Sequence, residues 1–294
     1  MIVITGATGN IGSKISAALL SAGHPVRCIA RSREKLDALA AKGAKVAAVS
    51  LADTAALTKA FAGAEAVFAM IPPNYQAPDF LSYQEMIGTS LARAIQASGV
   101  QYVVNLSSQG AHLADKTGPI KGLHAQEPRL NQLAGVHVLH LRPTYFMENL
   151  LASIPLIQSM NIMGSAIRGD LYLPMIATDD IAAVAARHLV KKDFEGRMVV
   201  DLLGQRDLTM EEEAARIVGR KIDRPDLTYV QFSYADTQKA LVEMGFSDDV
   251  AGLFIEMSHA FNEGLVQGTR TRENTTETSF EDFARIFVQL LHGR

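Results

Sequence analysis

The sequence has very little cysteine, no excess of charge of either sign and no long run of apolar residues. Cys28 is the only cysteine among 294 residues, so an internal disulfide and a cysteine-based metal site are both excluded, which fits a reducing compartment. The 28 Lys and Arg residues nearly balance the 31 Asp and Glu residues. Composition therefore gives no electrostatic basis for direct binding of nucleic acid.

Targeting and membrane signals are also missing. The first charged residue is Lys14, so the N-terminus lacks the basic region of a signal peptide. The uncharged stretch from Asn149 to Ile167 contains Pro155, Asn161 and several serines. We interpret it as a loop and helix that line an apolar pocket rather than as a membrane span. The sequence predicts a cytoplasmic chain with no membrane segment.

What is present is the composition of a globular protein. Apolar residues make up 48% of the chain and charged residues 20%, which excludes a disordered chain. At roughly 150 residues per domain, the length fits one large domain or two small ones. The sequence contains no zinc-binding HExxH, no phosphate-binding GxxxxGK and no GxSxG nucleophile motif, and no metal site is predicted.

Short apolar runs alternate with stretches of helical periodicity along the first half of the chain. The predicted strands are Ile2–Thr5, Val26–Ala30, Val46–Leu51, Ala66–Ile71, Val100–Leu106 and His137–Leu141. Helical patterns fill the spaces between them, and the longest covers Phe80–Ser98 and ends at Gly99. This alternation, with strands that are apolar nearly throughout, indicates a Rossmann-like α/β fold. Its doubly wound parallel sheet is covered by helices on both faces.

Beyond about residue 145 the pattern is less regular and predicts a smaller C-terminal α/β lobe. We assign residues 1–150 to a Rossmann domain, with elements from about 171–205 completing its sheet. Residues 206–278 form the smaller lobe on the substrate side, and residues 279–294 form a terminal helix packed on the main domain.

Two helix starts in this region carry capping-box patterns, in which side chains bind the first free backbone N–H groups. Thr209 is followed by Glu212, and Ser279 is followed by Asp282. Each pair predicts that a helix begins at the first of its two residues.

The strongest chemical signal is the segment GATGNIG, which lies directly between the first strand and the first helix. Gly6 permits a tight turn, Gly9 allows the backbone to approach a pyrophosphate, and Gly12 allows the helix to pack closely on the strand. The helix N-terminus then presents N–H groups to the phosphates. A glycine-rich turn without a ligand is the alternative. The remaining predicted cofactor contacts in this loop are Thr8, Asn10 and Ile11.

The end of the second strand distinguishes the two nicotinamide cofactors. An acidic residue there binds the ribose 2′-hydroxyl of NAD, whereas a basic residue binds the 2′-phosphate of NADP. Here the strand runs into Arg31 and Arg33, with Lys35 close by. Since Arg31 and Lys35 can bind a phosphate, we expect NADPH to be preferred over NADH. The alternative is an ordinary solvated helix start.

Further segments match the pattern of a known family. The chain carries Leu106-Ser107-Ser108 at the end of the fifth strand, LRPTYFMEN at 141–149, TDDIA at 178–182 and SFEDFA at 279–284. Together with GATGNIG and Arg31, these segments resemble the NmrA-like branch of the atypical short-chain dehydrogenases, over essentially the whole chain. That branch includes NADPH-dependent quinone reductases, a triphenylmethane dye reductase and redox-sensing regulators. One departure is Ser50, which stands where such proteins commonly carry an aspartate near the adenine.

The acid–base dyad of short-chain dehydrogenases, Tyr-x-x-x-Lys, is absent. None of the seven tyrosines is followed by lysine four positions on, which argues against epimerase or alcohol dehydrogenase chemistry. The resemblance places His124 near the tyrosine position, with Pro128 where a glutamate or lysine often follows and Glu127 one residue early. Because proline favours the first turn of a helix, we expect a helix to restart at Pro128 and His124 to lie in a loop. His124 is either catalytic or an ordinary structural histidine.

The remaining candidates follow from the rule that ligands bind at the carboxyl ends of parallel strands. The candidate catalytic residues are Ser107, His124 and Tyr145, although Ser107 could equally stabilise a loop. The candidate cofactor contacts outside the glycine loop and the basic residues are Ile71, Pro72, Pro143 and Thr144. An apolar pocket suited to a flat aromatic acceptor is predicted from Tyr75, Phe146, Met147, Met163 and Met175, with Phe254 and Met257 as further candidates. Each of these could instead belong to the core.

Three functions fit these residues. The first is an NADPH-dependent reductase that transfers hydride to a quinone-like or other aromatic, conjugated acceptor, which needs orientation more than an acid–base dyad. The alternative is an NADP(H)-sensing regulatory protein of NmrA type, which binds a protein partner without turnover. A sugar-nucleotide epimerase is disfavoured by the tyrosine pattern. A homodimer is possible in either of the first two cases.

Overall fold

The structure, a computed structural model, describes residues 1–292. Its strands are β1 (Ile2–Thr5), β2 (Val26–Ala30), β3 (Lys45–Ala48), β4 (Ala66–Ala69), β5 (Tyr102–Leu106), β6 (His137–Pro143), β7 (Tyr145–Phe146), β8 (Ile162–Ser165), β9 (Leu173–Ile176), β10 (Arg197–Leu202), β11 (Asp207–Leu208) and β12 (Thr228–Gln231). Its α-helices are α1 (Asn10–Ser21), α2 (Glu34–Ala41), α3 (Thr54–Phe61), α4 (Phe80–Ser98), α5 (Ile120–Asn131), α6 (Ile154–Met160), α7 (Thr178–Lys191), α8 (Ala215–Lys221), α9 (Tyr234–Glu243), α10 (Asp248–Asn262), α11 (Phe280–Phe283) and α12 (Arg285–His292). A 3₁₀ helix covers Met147–Ser153, and a π-helical turn covers Met210–Ala214.

The central sheet has seven strands in the order β10-β6-β5-β4-β1-β2-β3, and every neighbouring pair is parallel. The chain reverses direction across the sheet at β1, since β2 and β3 lie on one side of it and β4, β5 and β6 on the other. This order confirms the predicted Rossmann-like fold. Its ligand crevice is expected at the carboxyl end of β1, where the strand order reverses.

Separate apolar clusters cover the two faces of the sheet. On one face, Ile15 of α1 and Ile181 of α7 pack against Ile4 of β1. On the other face, Leu91 of α4 and Phe61 of α3 pack with strand residues such as Val103, which is fully buried. Burial on both faces accounts for strands that are apolar at nearly every position.

The smaller lobe forms its own core. β8 pairs with β12, and a three-stranded sheet joins β7, β9 and β11. The lobe therefore recruits residues from 147–167 as well as from beyond 206. Of the predicted sheet-completing region 171–205, β10 joins the central sheet and α7 covers it, whereas β9 pairs with β7 and β11 outside it.

The terminal segment packs on the smaller lobe. Phe280 and Phe287 are buried with Val218 of α8 and Ile157 of α6 in the core of that lobe. The prediction of a helix packed on the main domain is therefore wrong, because the apolar face of the segment completes the lobe core. Residues 293 and 294 of the predicted helix lie outside the described residues.

The two capping-box predictions have different outcomes. Ser279 caps α11, since its hydroxyl oxygen accepts the backbone N–H of Asp282 at 3.1 Å. The Thr209–Glu212 box is wrong. The helix there begins with a π turn that adds one residue, so the Glu213 carboxylate accepts the backbone N–H of Thr209 at 3.1 Å.

Within residues 1–292, no helix is both long and apolar enough to span a membrane. The same residues contain no group of three or more His, Cys, Asp or Glu side chains placed to hold a metal ion.

Candidate functional site

The loop between β1 and α1 is built so that two of its glycines tolerate no side chain. Gly6 has a φ of +61°, and a Cβ added there would lie 2.8 Å from the Met70 sulfur. A Cβ on Gly12 would lie 2.2 Å from the carbonyl oxygen of Gly6, so the loop packs directly on the helix. The Gly9 N–H donates to the Gly6 carbonyl at 2.9 Å and closes the turn.

This loop leaves the start of α1 open. Gly9 is the N-cap residue, no side chain caps the helix, and its first turn contains no acidic residue. Thr8, Gly9 and Asn10 are exposed, whereas Ile11 and Gly12 are buried. Helix N–H groups that no side chain satisfies attract an anion, and the glycines admit it to the backbone. The loop therefore fits the pyrophosphate of a dinucleotide.

Arg31 lies at the carboxyl end of β2, one residue beyond the strand. Its side chain is exposed and makes no ion pair within residues 1–292, whereas the neighbouring Arg33 pairs with Asp37 at 3.6 Å. Lys35 is also exposed. The charge of Arg31 lies close enough to Tyr83 to oppose the rise that burial causes in the pKa of that tyrosine.

Tyr83 connects this basic edge to the segment after β4. Its hydroxyl donates to the carbonyl of Pro72 at 3.0 Å and so fixes the predicted cofactor residues Ile71 and Pro72 beside Arg31. Sequence reasoning did not identify Tyr83 as part of the site. Its position on the inward face of α4 makes it look like an ordinary core residue.

Ser107 is held in a buried ionic cluster. Its hydroxyl donates to the Glu127 carboxylate at 2.6 Å, and Arg142 donates to both oxygens of the same carboxylate at 2.8 and 2.5 Å. Burial opposes ionisation of Glu127, but the hydrogen bonds from Arg142 and Ser107 outweigh it and lower the pKa of Glu127. The Ser107 hydroxyl therefore already donates its proton to the Glu127 carboxylate, and towards a ligand its oxygen can act only as a hydrogen-bond acceptor.

A second buried polar group lies beside this cluster. His140 is fully buried between the side chains of Asn105 and Asn131, each at 3.0 Å from one ring nitrogen. Asn105 donates to Nδ1 and Nε2 donates to Asn131 in the neutral ring. Burial lowers the pKa of His140 to about 4, so the ring is neutral at physiological pH. We interpret it as a structural residue of the sheet.

His124 lies in a helix, not in a loop. α5 runs through Pro128 from Ile120 to Asn131, and the prediction that the helix restarts at Pro128 is wrong. Tertiary contacts of α5 with α4, together with the Glu127 cluster, hold the helix together across the missing N–H of the proline. His124 Nδ1 lies 2.9 Å from the carbonyl oxygen of Ala111, to which it donates. Its Nε2 is then the nitrogen with a lone pair.

Tyr145 differs from the other two catalytic candidates. Its ring packs edge-on against Phe261 with centroids 5.9 Å apart, and its hydroxyl makes no hydrogen bond to any of residues 1–292. Burial raises the pKa of Tyr145 well above its ordinary value. The phenol therefore stays protonated and is an available donor. The adjacent Pro143 and Thr144 are buried, and Thr144 donates to the carbonyl of Pro174 at 3.0 Å.

The predicted pocket residues separate into two groups. Tyr75 is 42% exposed and stacks on Phe246 with centroids 4.5 Å apart, with Phe254 edge-on at 5.9 Å. Phe146 is half-buried. In contrast, the following three methionines are at most 1% exposed and belong to the lobe core, which corrects their prediction as pocket surface: Met147, Met163 and Met175.

A polar junction that sequence reasoning missed ties α1 to the start of the lobe. Lys14 donates to the Thr178 hydroxyl at 2.8 Å and to Asp179 at 2.6 Å. The Glu148 carboxylate accepts the backbone N–H of Thr178 at 3.0 Å and lies 3.5 Å from the Lys14 ammonium. Glu148 and Thr178 belong to the LRPTYFMEN and TDDIA segments. These segments therefore meet at the helix that carries the glycine loop.

Comparison with known proteins identifies relatives that are named as reductases. A reductase of (4-alkanoyl-5-oxo-2,5-dihydrofuran-3-yl)methyl phosphate from Streptomyces griseus is 32% identical over 225 residues, which is 76% of this chain and 75% of that protein. Quinone oxidoreductase 2 of Escherichia coli is 27% identical over 295 residues, or 98% of this chain and 99% of the relative.

A solved structure from Escherichia coli, an NADPH-dependent quinone oxidoreductase complexed with NADPH, matches with a TM-score of 0.84 and 25% identity. The match covers 98% of this chain and 100% of that one. The model of the NmrA-like family matches residues 1–284. The chain therefore belongs to the NmrA-like family, as the glycine loop and the later motifs predicted.

Proposed function

We propose that this protein is an NADPH-dependent reductase that transfers hydride to a quinone-like or other aromatic, conjugated acceptor. The observation that carries the proposal is the uncapped start of α1 behind a loop in which Gly6 and Gly12 tolerate no side chain. Arg31, which makes no ion pair within residues 1–292, lies at the carboxyl end of the neighbouring strand. The relatives named above are reductases of conjugated carbonyl compounds, which supports the same class of acceptor.

Different residues at the carboxyl edge of the sheet would bind different parts of the cofactor. The loop from Gly6 to Gly12 and the start of α1 would hold the pyrophosphate. Arg31 and Lys35 would hold the 2′-phosphate, since charge-assisted bonds to phosphate are among the strongest available to side chains. The nicotinamide half would lie along Ile71, Pro72, Pro143 and Thr144. When bound, the cofactor supplies the hydride.

Tyr145 is the group best suited to meet the charge that develops on the acceptor. A conjugated carbonyl gains negative charge on oxygen as it receives hydride, and fixed donors stabilise such an oxyanion. The Tyr145 hydroxyl is protonated and has no intramolecular acceptor within residues 1–292. Ser107 already donates to Glu127, and His124 Nδ1 donates to Ala111. We assign Tyr145 as the donor and Ser107 as a fixed acceptor.

The aromatic group at Tyr75 would cover a flat acceptor. Tyr75, Phe246 and Phe254 form one cluster on the loop after β4 and the α9–α10 region, and Tyr75 keeps an exposed face. An exposed aromatic face favours offset stacking on another aromatic ring.

A regulatory protein that binds NADP(H) without turnover is the second candidate. It is favoured by the fact that the Ser107 hydroxyl and His124 Nδ1 are both engaged in hydrogen bonds within the chain. Cytoplasmic location, a homodimer and a protein partner stay predictions.

The deciding experiment follows NADPH oxidation by nicotinamide absorbance with a panel of small quinones. We expect acceptor-dependent turnover that prefers NADPH to NADH, and Arg31→Ala should abolish the preference. Arg33→Ala is the matched control, since that arginine is already paired with Asp37. Saturating NADPH binding without turnover of any acceptor would overturn the reductase proposal and favour the regulator, whose protein partner would then be sought with and without NADPH.

A further inference from the structure

The strand β10 forms one edge of the central sheet, and that edge is apolar and exposed. Among the described strands its one neighbour is β6. Met198 and Val199 lie on opposite faces of the strand, yet they are 41% and 46% exposed. Edge strands are commonly protected by lysine or proline, and β10 contains neither. Such an edge is a template for pairing with another strand.

The backbone of β10 directs every second residue away from the sheet. The carbonyls of Gly196 and Leu202 accept the N–H groups of Val138 at 2.9 Å and Thr144 at 3.0 Å, from β6 and the residue after it. Because the two sides of a parallel strand alternate, the even-numbered residues of β10 bond to β6. The odd-numbered residues direct N–H and C=O outward, and these groups have no backbone partner within residues 1–292: Arg197, Val199 and Asp201.

The chain itself sets the limits of this open edge. The next outward N–H, that of Leu203, donates to the carbonyl of Asn274 at 2.9 Å, so a later segment covers the edge from there on. At the other end, Gly196 has a φ of +63°, and the chain turns immediately before the strand begins. The open edge is therefore residues 197–201, with Val199 at its centre.

Opposite charges flank Val199 symmetrically on this edge. Arg197 precedes it by two residues and Asp201 follows it by two, so all three side chains lie on the same face. Neither charged residue makes an ion pair within residues 1–292. The Arg197 guanidinium donates to three backbone carbonyls and keeps its charge. Arg142, which is level with Asp201 on β6, is paired with Glu127 instead.

We propose that the outer edge of β10 binds a second copy of this chain, through antiparallel pairing of the two β10 strands around a two-fold axis at Val199. Each Arg197 then lies opposite Asp201 of the second copy, and the outward N–H and C=O groups bond across the axis. On the other face, Met198 contacts Val200 of the second copy. The two seven-stranded sheets become one continuous sheet. This interface is independent of the proposed function.

The charges select this register. An axis at Met198 instead of Val199 would place Asp201 opposite Glu195 of the second copy, where like charges repel. The axis at Val199 gives two opposite-charge pairs and covers the exposed apolar side chains. So short a strand pair buries less than the roughly 1,200 Å² of a stable interface, and we expect association in the micromolar range.

The first test is sedimentation velocity of the wild-type chain and its variants from about 1 to 200 μM. We expect the wild type to dimerise and Val199→Pro to associate at least about tenfold more weakly. Proline there removes an outward N–H that serves no bond within the sheet, so the fold is retained. Val199→Lys should have the same effect, whereas Val242→Lys, at a 38% exposed valine on α9, is the matched control and should dimerise as the wild type does.

The second test examines the register by exchanging the charges. Arg197→Glu places like charges opposite each other and should weaken the dimer by about tenfold. Adding Asp201→Lys to that variant should restore most of the affinity. Both proteins lose the same bonds from Arg197 to backbone carbonyls, so their difference reports the contact across the axis.

Circular dichroism and thermal unfolding establish that each variant compared is folded. A wild-type chain that stays monomeric throughout the concentration range would overturn the inference. So would a dimer that persists in both Val199 variants, because the contact would then lie elsewhere on the molecule. A double charge variant that associates as weakly as Arg197→Glu alone would overturn the register centred on Val199.

Discussion

Replacing Glu127 by glutamine tests the ionic cluster that holds Ser107. The Glu127 side chain is 8% exposed and that of Arg142 is 16% exposed, so the pair is largely withdrawn from water. Glu127→Gln keeps nearly the same shape and one oxygen acceptor but removes the negative charge. The Arg142 guanidinium is then left in the interior without its counter-charge.

The size of the effect follows from that burial. Removing one partner of a buried ion pair costs about 3–5 kcal/mol, and the retained oxygen places this change near the lower limit, at about 3 kcal/mol. In a chain of this length, that corresponds to a fall in Tm of about 5 °C. The exposed pair between Glu85 and Arg129 offers a matched control, since Glu85 is 58% exposed. Glu85→Gln should cost at most about 1 kcal/mol.

The assay is urea unfolding near neutral pH, with thermal unfolding as a check. The pKa of Glu127 lies below its ordinary value of 4.5 in the folded protein, so its contribution is full above pH 4.5. The advantage of the wild-type protein over Glu127→Gln should therefore shrink as the pH falls through that lowered pKa. An equal loss of stability in Glu127→Gln and Glu85→Gln would refute the assignment of a buried, ionised Glu127.

Three further outcomes are expected. Gly12→Ala forces a Cβ to within 2.2 Å of the Gly6 carbonyl oxygen and should weaken NADPH binding by about tenfold or more. The affinity is measured by fluorescence titration, with Gly252→Ala as the control variant, because a Cβ there meets no atom within 4 Å. Equal NADPH affinities of the two variants would contradict the tight packing of the loop. Tyr145→Phe should lower kcat by about a hundredfold without changing the KM for NADPH, and an unchanged kcat would remove Tyr145 as the donor. Since His140 titrates near 4 when folded and near 6.5 when unfolded, only the unfolded chain gains its proton in between. The wild-type protein should therefore lose about 3 kcal/mol relative to His140→Gln from pH 6.5 to 4, and parallel pH profiles in urea unfolding would refute this.

The sheet domain could be predicted because its signals are local. β1 and α4 begin and end at the predicted residues, and the glycine loop lies between β1 and α1 as expected. A buried parallel strand, a turn that needs glycine and an uncapped helix start each have a sequence pattern confined to a few neighbouring positions. Such patterns can be recognised without knowledge of the rest of the chain.

The lobe and the catalytic candidates depend on contacts that are distant in sequence. Met163 and Met175 are of a residue type that is expected in an apolar pocket. However, β8 pairs with β12 more than sixty positions later, and that pairing buries Met163 in the core. Likewise, nothing adjacent to Ser107 indicates that its proton is taken by Glu127, which joins Arg142 from a different element.

Pro128 shows that the local rule for proline, which ends or restarts a helix, can also fail. Its helix-breaking tendency is real, but tertiary contacts on both sides of the residue outweigh it, and α5 continues through it. The His124 environment could therefore be described only from the structure.

The junction of Lys14, Glu148 and Thr178 has a consequence for protein engineering. It joins α1, the helix that follows the glycine loop, to the two places where the chain passes from the sheet domain into the lobe and back. A chimera that takes its lobe from another member of the family must supply a carboxylate and a hydroxyl that match Lys14, or the grafted lobe will loosen α1. Recombination points are therefore best chosen beyond Thr178 or before Lys14, so that these three side chains are inherited together.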